Sequence, residues 1–251
     1  MISIIIPVLN EAENIGKLLQ HLRDNSDSNN ISDIIVVDGG SIDGSQKIVT
    51  NFIASIHFER CEKLSREAQK SDFAQTDISL LNSSKGRAKQ MNFGSKQSKG
   101  EILYFLHADS FPPKDFDQYI IDEVRKGNEA GCFRMQFESN HWWLRLASWL
   151  TQFSWRACRG GDQSQFITKS LFEAIGGYNE NYIIYEDNIL INELYKRKQF
   201  VVINKKLKTS ARLYKKVGIW KLQYHFWTIY IKRWLGASAD DMLAYYKRNI
   251  A

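Results

Sequence analysis

The stretch Lys99-Gly100-Glu101-Ile102-Leu103-Tyr104-Phe105-Leu106-His107-Ala108-Asp109-Ser110 decides the fold class of this chain. Its run from Ile102 to Leu106 is short and apolar throughout, which is typical of a strand buried on both faces. Such strands belong to parallel or mixed sheets, where ligands bind outside the carboxyl ends of the strands. The run delivers His107 and Asp109 to that end. We therefore expect either chemistry there or a turn capped by Asp109.

Two strand–helix units precede this stretch and extend the same pattern. Residues 3–6 and 34–37 are predicted as buried strands, and each is followed by a one-sided helical pattern. The first helix is indicated by apolar residues at i, i+3, i+4 and i+7, namely Ile15, Leu18, Leu19 and Leu22. Strand–helix–strand order implies right-handed crossovers, so we predict an α/β fold with a mixed, mainly parallel sheet flanked by helices.

Composition narrows the class of protein without fixing its function. The chain has 251 residues, 43% hydrophobic and 25% charged, as in ordinary globular proteins. Its three cysteines lack a CxxC spacing, and its first residues lack the features of a secretory signal, so we expect a cytoplasmic protein. We expect no membrane-spanning segment. The net charge of +6 suits phosphate-bearing ligands, nucleic acid or an anionic membrane surface.

Two glycine-containing turns are candidate ligand sites. Asp38 follows the second strand and precedes Gly39-Gly40, which suits hydrogen bonding to a nucleotide but also a plain tight turn. Gly86 and Arg87 are predicted at the start of a helix. This position favours binding of a phosphate group, but the same residues also suit an ordinary basic helix face exposed to solvent. Farther on, Glu186 and Asp187 are predicted at the start of another helix. There they would either stabilise the helix N-terminus or supply a general base.

The remaining segments leave more than one interpretation open. Pro113 is predicted as the first residue of a helix, and residues 59–77 as a surface helix or a mobile insertion. The tryptophan-rich residues 141–150 suit a core helix or lid, a hydrophobic wall for an acceptor, or a membrane-facing surface. The basic and aromatic residues 217–235 suit an interfacial helix or one that packs its aromatics inward.

The order of these motifs resembles that of the family 2 glycosyltransferases, which have the GT-A fold. The resemblance is carried by Pro7-Val8-Leu9-Asn10-Glu11, Val36-Val37-Asp38-Gly39-Gly40-Ser41-Ile42-Asp43-Gly44, Gly86-Arg87-Ala88 with Asn92, His107-Ala108-Asp109, Gly176-Gly177-Tyr178 and Glu186-Asp187. The variants His-Ala-Asp and Gly-Gly-Asp-Gln resemble a bacterial subgroup of arsenosugar-type glycosyltransferases. Residues 1–195 carry the match.

The resemblance implies a site for a nucleotide-diphosphate sugar, with a UDP-sugar expected. Glu11, Asp38 and Asp43 would hold the base and ribose, and Arg87 would lie near the nucleotide or its phosphates. Asp109 would bind Mn²⁺ or Mg²⁺, and His107, where the family usually has Asp, would bind the metal or the ribose. The nucleotide-sugar site as a whole would comprise Pro7, Asn10, Glu11, Asp38, Gly39, Asp43, Gly86, Arg87, His107, Ala108 and Asp109.

The resemblance also implies an inverting sugar transfer to an acceptor hydroxyl. Asp187 would be the catalytic base with Glu186 beside it, and Gly161, Asp162, Gln163, Trp142 and Trp143 would lie on the acceptor side. The acceptor would be a small molecule, a lipid or a glycan, with peripheral contact to the inner face of the cell membrane left open. The alternatives are a sugar nucleotidyltransferase and a non-catalytic binding module. Nucleic acid is not an expected partner, since the basic residues form no reading element.

We expect one glycosyltransferase domain over residues 1–215. Its nucleotide-sugar half would be residues 1–110 and its acceptor and catalytic half residues 111–215. Residues 216–251 would form a helical extension packed on the same domain.

Overall fold

In the computed structural model, which describes residues 1–66, 76–160 and 163–250, eight strands form a single sheet. The strands are β1 (Ile2–Val8), β2 (Ile31–Asp38), β3 (Asp77–Asn82), β4 (Ile102–Phe105), β5 (Ser110–Phe111), β6 (Ala130–Phe137), β7 (Gln165–Thr168) and β8 (Val201–Thr209). Their order is β3-β2-β1-β4-β7-β6-β8-β5. β1 pairs in parallel with β2 and β4, whereas β7 runs antiparallel between β4 and β6. The predicted mixed α/β sheet is confirmed.

Helices connect most of the strands and cover both faces of the sheet. They are α1 (Ile15–Asn25), α2 (Ser45–Arg66), α3 (Arg87–Gln97), α4 (Phe116–Arg125), α5 (Trp142–Leu150), α6 (Lys169–Ile175), α7 (Glu186–Lys196), α8 (Arg212–Val217), α9 (Ile219–Trp234) and α10 (Ala239–Asn249). Within the described residues, none of these helices combines the length and the apolarity needed to cross a membrane.

The central strands are apolar throughout because both of their faces are buried. In β1, Ile4 and Ile6 join one hydrophobic cluster with α1, while Ile5 joins a second cluster with α3 on the other face. Successive side chains of a strand point to opposite faces, so a strand between two helical layers needs an unbroken apolar run. The sheet core therefore accounts for the runs in β1, β2 and β4.

Two predicted elements differ from the structure or extend beyond it. Pro113 does not begin a helix: α4 starts at Phe116, because Asp115 adopts a left-handed conformation with φ of 58° that no α-helix accommodates. The stretch 59–77 is helical as far as Arg66, the end of α2, and residues 67–75 lie outside the described residues. Cys132 and Cys158 are free thiols.

Candidate active site

The loops after β1 and β2 are bound to each other at the carboxyl edge of the sheet. The backbone N–H of Asn10 donates to Ser41 Oγ at 2.8 Å, and that of Ile42 donates to Asn10 Oδ1 at 2.9 Å. The N–H of Ala12 donates to Asp43 Oδ2 at 3.0 Å, and Ser45 donates to Asp43 Oδ1. Asn10 and Asp43, two predicted donor-site residues, thus join and shape the two loops. Pro7, a third, lies inside β1 opposite Val37.

Asp38 is the last residue of β2, and only one of its two carboxylate oxygens accepts hydrogen bonds from the described residues. Its Oδ2 accepts from the N–H groups of Gly40 and Ser41, both at 2.9 Å, and from Gln46 Nε2 at 2.7 Å. Its Oδ1 is buried and, among the described residues, has no hydrogen-bond partner. Burial alone would raise the pKa of Asp38, but the hydrogen bonds from Ser41, Gln46 and Gly40 lower it below 3.8. The buried Oδ1 could therefore accept a hydrogen bond from an N–H or O–H group of a ligand.

Gln90 fastens the ends of β1 and β2 together beneath this site. Its Nε2 donates to the carbonyls of Val8 and Val37 at 2.8 and 2.7 Å. A Cβ at Gly39 would lie 3.1 Å from the Gln90 side chain, so the glycine permits this close packing. Gly86, the N-cap of α3, has φ of 137°, a conformation that favours glycine, and its carbonyl accepts from the N–H of Gln90. The first turn of α3 therefore supports the donor loops.

Arg212 reaches this edge from the far end of the chain, and the sequence analysis missed it. Its Nη2 donates to Glu11 Oε1 at 2.7 Å, and the same Glu11 side chain accepts from Asn14. The hydrogen bond to Glu11 raises the pKa of Arg212, and the negative charge of Asp109 adds to the effect. Arg212 thus connects the β1 loop with the first turn of α8. Since the two partners are 201 residues apart, no local pattern would have revealed the pair.

His107, Ala108 and Asp109 follow β4 as predicted. Ala108 is buried, while His107 and Asp109 are half-buried. The backbone carbonyl of Asp109 accepts from the N–H of Ser210 at 3.3 Å, just before α8. In the part of the chain that the structure describes, no three His, Cys, Asp or Glu side chains form a metal-binding group. Imidazole nitrogen and carboxylate oxygen are both ligands of Mn²⁺ in proteins, and a metal-binding role of His107 and Asp109 stays a prediction.

Glu186 and Asp187 lie at the start of α7 opposite Arg87. Arg87 Nε is 3.4 Å from Glu186 Oε1, and Arg87 Nη1 is 3.9 Å from Asp187 Oδ2. Glu186 is 1% exposed and Asp187 is 8% exposed, so both carboxylates are desolvated. The N-terminal end of the α7 dipole and the Arg87 guanidinium both place positive charge beside these carboxylates. Arg87, expected near the nucleotide, is placed beside the predicted base.

The Gly-Gly-Tyr motif is held against α3 on the same side. Asn92 donates to the carbonyl of Tyr178 at 2.9 Å and accepts from its N–H at 2.9 Å. Gly177 has φ of 75°, and a Cβ there would lie 2.8 Å from Asn92 Oδ1, so this position requires glycine. Burial, followed by the charges of Asp187 and Glu186, raises the pKa of Tyr178 well above its usual value. The motif therefore fixes the segment that leads into α7.

The structure describes three of the five predicted acceptor-side residues. Gly161 and Asp162 lie outside the described residues. Gln163 is buried, accepts from Arg159 Nη1 at 2.7 Å and donates to the carbonyl of Cys158 at 2.6 Å. Trp142 is exposed, and the indole N–H of Trp143 donates to Gln223 Oε1 at 3.1 Å. A role of these residues toward an acceptor stays a prediction.

Comparison with protein families and curated sequences gives consistent matches. The profile of the family described as Glycosyl transferase family 2 matches residues 3–179. Glycosyltransferase AglE of Haloferax volcanii is 34% identical over 111 residues, which are 44% of this chain and 31% of that protein. Probable glycosyltransferase YdaM of Bacillus subtilis is 25% identical over 211 residues, 77% of this chain and 46% of that protein. The chain thus spans a third to a half of these relatives.

Solved structures share the fold. TarS 1–349 of S. aureus, in complex with UDP, superposes with a TM-score of 0.60 at 15% identity, covering 84% of this chain and 60% of that one. Mannosyltransferase PcManGT from Pyrobaculum calidifontis, in complex with GDP-Man and Mn²⁺, gives 0.62 at 16% identity, covering 91% and 59%. These matches confirm the predicted GT-A-type architecture. The narrower arsenosugar-type subgroup stays a prediction.

Proposed function

Because the chain belongs to glycosyl transferase family 2, we propose that it transfers a sugar from a nucleotide-diphosphate donor to an acceptor hydroxyl, with inversion at C1 of the sugar. One observation carries the proposal: the first turn of α3 joins the donor loops to the carboxylates of α7. Gln90 holds the carbonyls that end β1 and β2, and Arg87, one turn earlier, faces Glu186 and Asp187. A donor in the loops would thus lie beside two buried carboxylates.

The donor site is proposed at the joined loops of β1 and β2. The buried and unsatisfied Oδ1 of Asp38 would accept a hydrogen bond from the base or the ribose, and loss of that acceptor would weaken binding. Solved structures with the same fold contain UDP, UDP-GlcNAc or GDP-Man. We take a UDP-sugar as the first donor to test.

His107 and Asp109 would hold a divalent cation, Mn²⁺ or Mg²⁺. When bound, the ion supplies positive charge to the departing diphosphate. Arg212, which lies close enough to Asp109 for their charges to interact, adds a fixed guanidinium on the same side. A mannosyltransferase with this fold contains Mn²⁺ together with its donor.

Asp187 is proposed as the general base, with Glu186 as its neighbour. The carboxylate of Asp187 takes the proton of the acceptor hydroxyl as the oxygen attacks C1 and the C1–O bond to the diphosphate breaks. Arg87, within 3.4 to 3.9 Å of the two carboxylates, would hold them in place until the acceptor arrives. The acceptor would be a small molecule, a lipid or a glycan, and we propose that the reaction takes place in the cytoplasm.

The first experiment measures thermal unfolding with UDP, GDP, TDP or CMP, each with Mn²⁺, Mg²⁺ or EDTA. A ligand at about 100 times its Kd adds roughly 2.7 kcal/mol, which raises Tm by several degrees in a chain of this size. We expect one nucleoside diphosphate to stabilise the protein only with metal, and Asp109→Asn to abolish that shift. If none of the nucleotides shifts Tm, the proposal fails.

A second experiment separates donor binding from catalysis with Asp187→Asn. This variant should bind the donor as the wild type does but lose about 10²–10⁴-fold in transfer rate, because the amide accepts no proton. Asp240→Asn, the same change in the exposed first turn of α10, is the matched control and should keep full activity. Transfer unchanged in Asp187→Asn would exclude the base. Release of pyrophosphate in place of a nucleoside diphosphate would instead identify a nucleotidyltransferase.

A further inference from the structure

Helix α9 has a stripe of large apolar side chains that face solvent. Trp220, Tyr224, Trp227, Ile231 and Trp234 are spaced four, three, four and three residues apart, so they lie along one face of the helix. Their exposed fractions are 51%, 62%, 48%, 55% and 84%. Single exposed apolar residues are common on protein surfaces, but a stripe that runs the length of a helix marks a binding surface.

The fold itself does not require this stripe. The opposite side of α9 already packs into a hydrophobic cluster, in which Leu222 and Ile229 are buried with Met242 and Ile250 of the α10 region. A helix of a soluble domain needs one apolar face for packing and a polar face toward water. α9 has a second apolar face where a polar one is expected, which indicates a further contact.

A second exposed stripe on α5 continues the first one. Trp142, Leu146 and Trp149 are 59%, 39% and 50% exposed, at i, i+4 and i+7. The rings of Trp142 and Trp220 are 5.8 Å apart, and Trp143 lies 5.3 Å from Trp220 and 6.1 Å from Trp227. The two stripes therefore form one continuous surface across α5 and α9, here named the aromatic face.

The helices that bear the aromatic face, together with α8, contain charges of one sign only. Helix α5 and residues 212–234, which comprise α8 and α9, contain seven cationic residues and no Asp or Glu: Arg145, Arg212, Lys215, Lys216, Lys221, Lys232 and Arg233. Arg145, Lys215, Lys216 and Lys221 are exposed. A second copy of the chain on this face would bring like charges together. An anionic lipid headgroup layer complements them, and tryptophan and tyrosine are favoured at that depth.

We propose that the protein docks on an anionic lipid bilayer through the aromatic face. The tryptophans and Ile231 would enter the headgroup region, and the surrounding lysines and arginines would contact the lipid phosphates. Tyr230 of α9 packs on Tyr185, the residue before Glu186, with ring centroids 5.4 Å apart. Helix α9, which bears much of the docked face, is thus in contact with the segment that leads to the proposed base. The inference itself does not depend on the transfer reaction.

The test is sedimentation of the full chain with vesicles of phosphatidylcholine alone or of equimolar phosphatidylcholine and phosphatidylglycerol. We expect binding to the anionic vesicles, weakened by salt, and little binding to the neutral ones. Lys216→Glu/Lys221→Glu should bind about 25-fold more weakly or worse, at about fivefold per cation. Arg125→Glu, at an exposed position of α4, is the matched control and should bind normally.

The apolar contribution is tested with Tyr224→Ser/Ile231→Ser/Trp234→Ser, which should reduce vesicle binding about tenfold or more while leaving Tm unchanged. Phe58→Ser is the matched control, since Phe58 is an exposed apolar residue of α2, 65% exposed. Brominated phosphatidylglycerol should quench tryptophan fluorescence in the wild type.

Three results would overturn the proposal. One is wild-type protein that stays in the supernatant with anionic vesicles, and another is a triple variant that sediments like the wild type. The third is a dimer in solution that Trp234→Ser dissociates, which would assign the face to a second copy of the chain. None of these readouts uses catalysis, so failure here leaves the proposed transfer reaction standing.

Discussion

At the scale of single residues, the proposed site depends on charged side chains whose partners lie far away in sequence. Arg87 faces Glu186 and Asp187 across about a hundred positions, and Arg212 binds Glu11 at 2.7 Å. The sequence predicted Glu11 through the family resemblance, and it predicted Arg87 and Asp187 also because each lies at the start of a helix. It gave no sign of Arg212, because neither periodicity nor a local motif marks that position.

Arg212→Gln should weaken binding of the nucleoside diphosphate about 10- to 100-fold. The change removes a charge-assisted hydrogen bond to Glu11 and a positive charge near Asp109, so the diphosphate would meet uncompensated negative charge. Titration calorimetry with the stabilising nucleotide measures the effect. Arg248→Gln, at an exposed position of α10, is the control and should bind normally. An unchanged Kd in Arg212→Gln would remove this residue from the donor site.

At the scale of elements, the packing of α3 against the sheet sets the position of Arg87, Gln90 and Asn92. A Cβ at Gly94 would lie 2.6 Å from Ile5 Cγ2 and 3.1 Å from Val37 Cγ2. Glycine thus lets α3 approach β1 and β2 closely enough for Gln90 to reach both strand ends. Interiors packed this closely transmit a shift of one helix to the groups it holds.

Gly94→Ala should destabilise the fold by about 1–3 kcal/mol, because the added methyl group pushes α3 away from β1. Urea unfolding measures this loss, and nucleotide binding should weaken with it as Gln90 and Arg87 move. Gly160→Ala serves as the control, since a Cβ at Gly160 would meet no atom of the described residues within 4 Å. Equal stability of the two variants would show that α3 tolerates the displacement.

The sequence predicted elements best where burial leaves a strong pattern. β1, β2 and β4 are apolar runs covered on both faces, and α1 presents Ile15, Leu18 and Leu22 to the core, so all four were predicted. The predicted start of α4 at Pro113 was wrong. A proline that suits the first turn of a helix does not reveal that Asp115 adopts a left-handed backbone conformation. How α7 meets α3 depends on tertiary packing, which no local pattern encodes.

At the scale of the whole molecule, the helices after residue 215 share a hydrophobic cluster with the segment leading into α7. Tyr182, Ile184 and Tyr185 pack against the cluster that is formed by Leu222, Ile229, Met242 and Ile250. The predicted division into a domain over residues 1–215 and a packed extension over 216–251 stays a prediction. These contacts mean that removal of α9 would expose the residues before Glu186 as well as α9's own partners.

The whole chain should lose stability in acid below about pH 4. Hydrogen bonds lower the pKa of Asp43, chiefly through Ser45, and that of Asp241, chiefly through Ser238. The pKa of Asp38 is also lowered, because its hydrogen bonds outweigh the effect of burial. A carboxylate with a lowered folded-state pKa stabilises the fold above its unfolded pKa of about 3.9, and this stability is lost as pH falls through the folded value.

The urea concentration at the midpoint of unfolding, recorded between about pH 7 and pH 2.5, measures how stability depends on pH. Asp43→Asn should flatten the curve in its acid limb, because the amide does not titrate. Asp240→Asn, next to Asp241 at an exposed position, provides the comparison. A midpoint that stays constant from neutral pH down to about 3 would contradict the assignment.

The bond between Glu11 and Arg212 spans 201 residues, and this has a consequence for biosynthesis. A ribosome adds roughly 5–20 residues per second, so about 10–40 s pass between synthesis of the two partners. During that interval β1, β2 and β4 can pair on the emerging polypeptide while Glu11 and Asp109 await their cation. A nascent chain that has already formed its first parallel strands therefore gains the cation that pairs with Glu11 only after α8 has been synthesised.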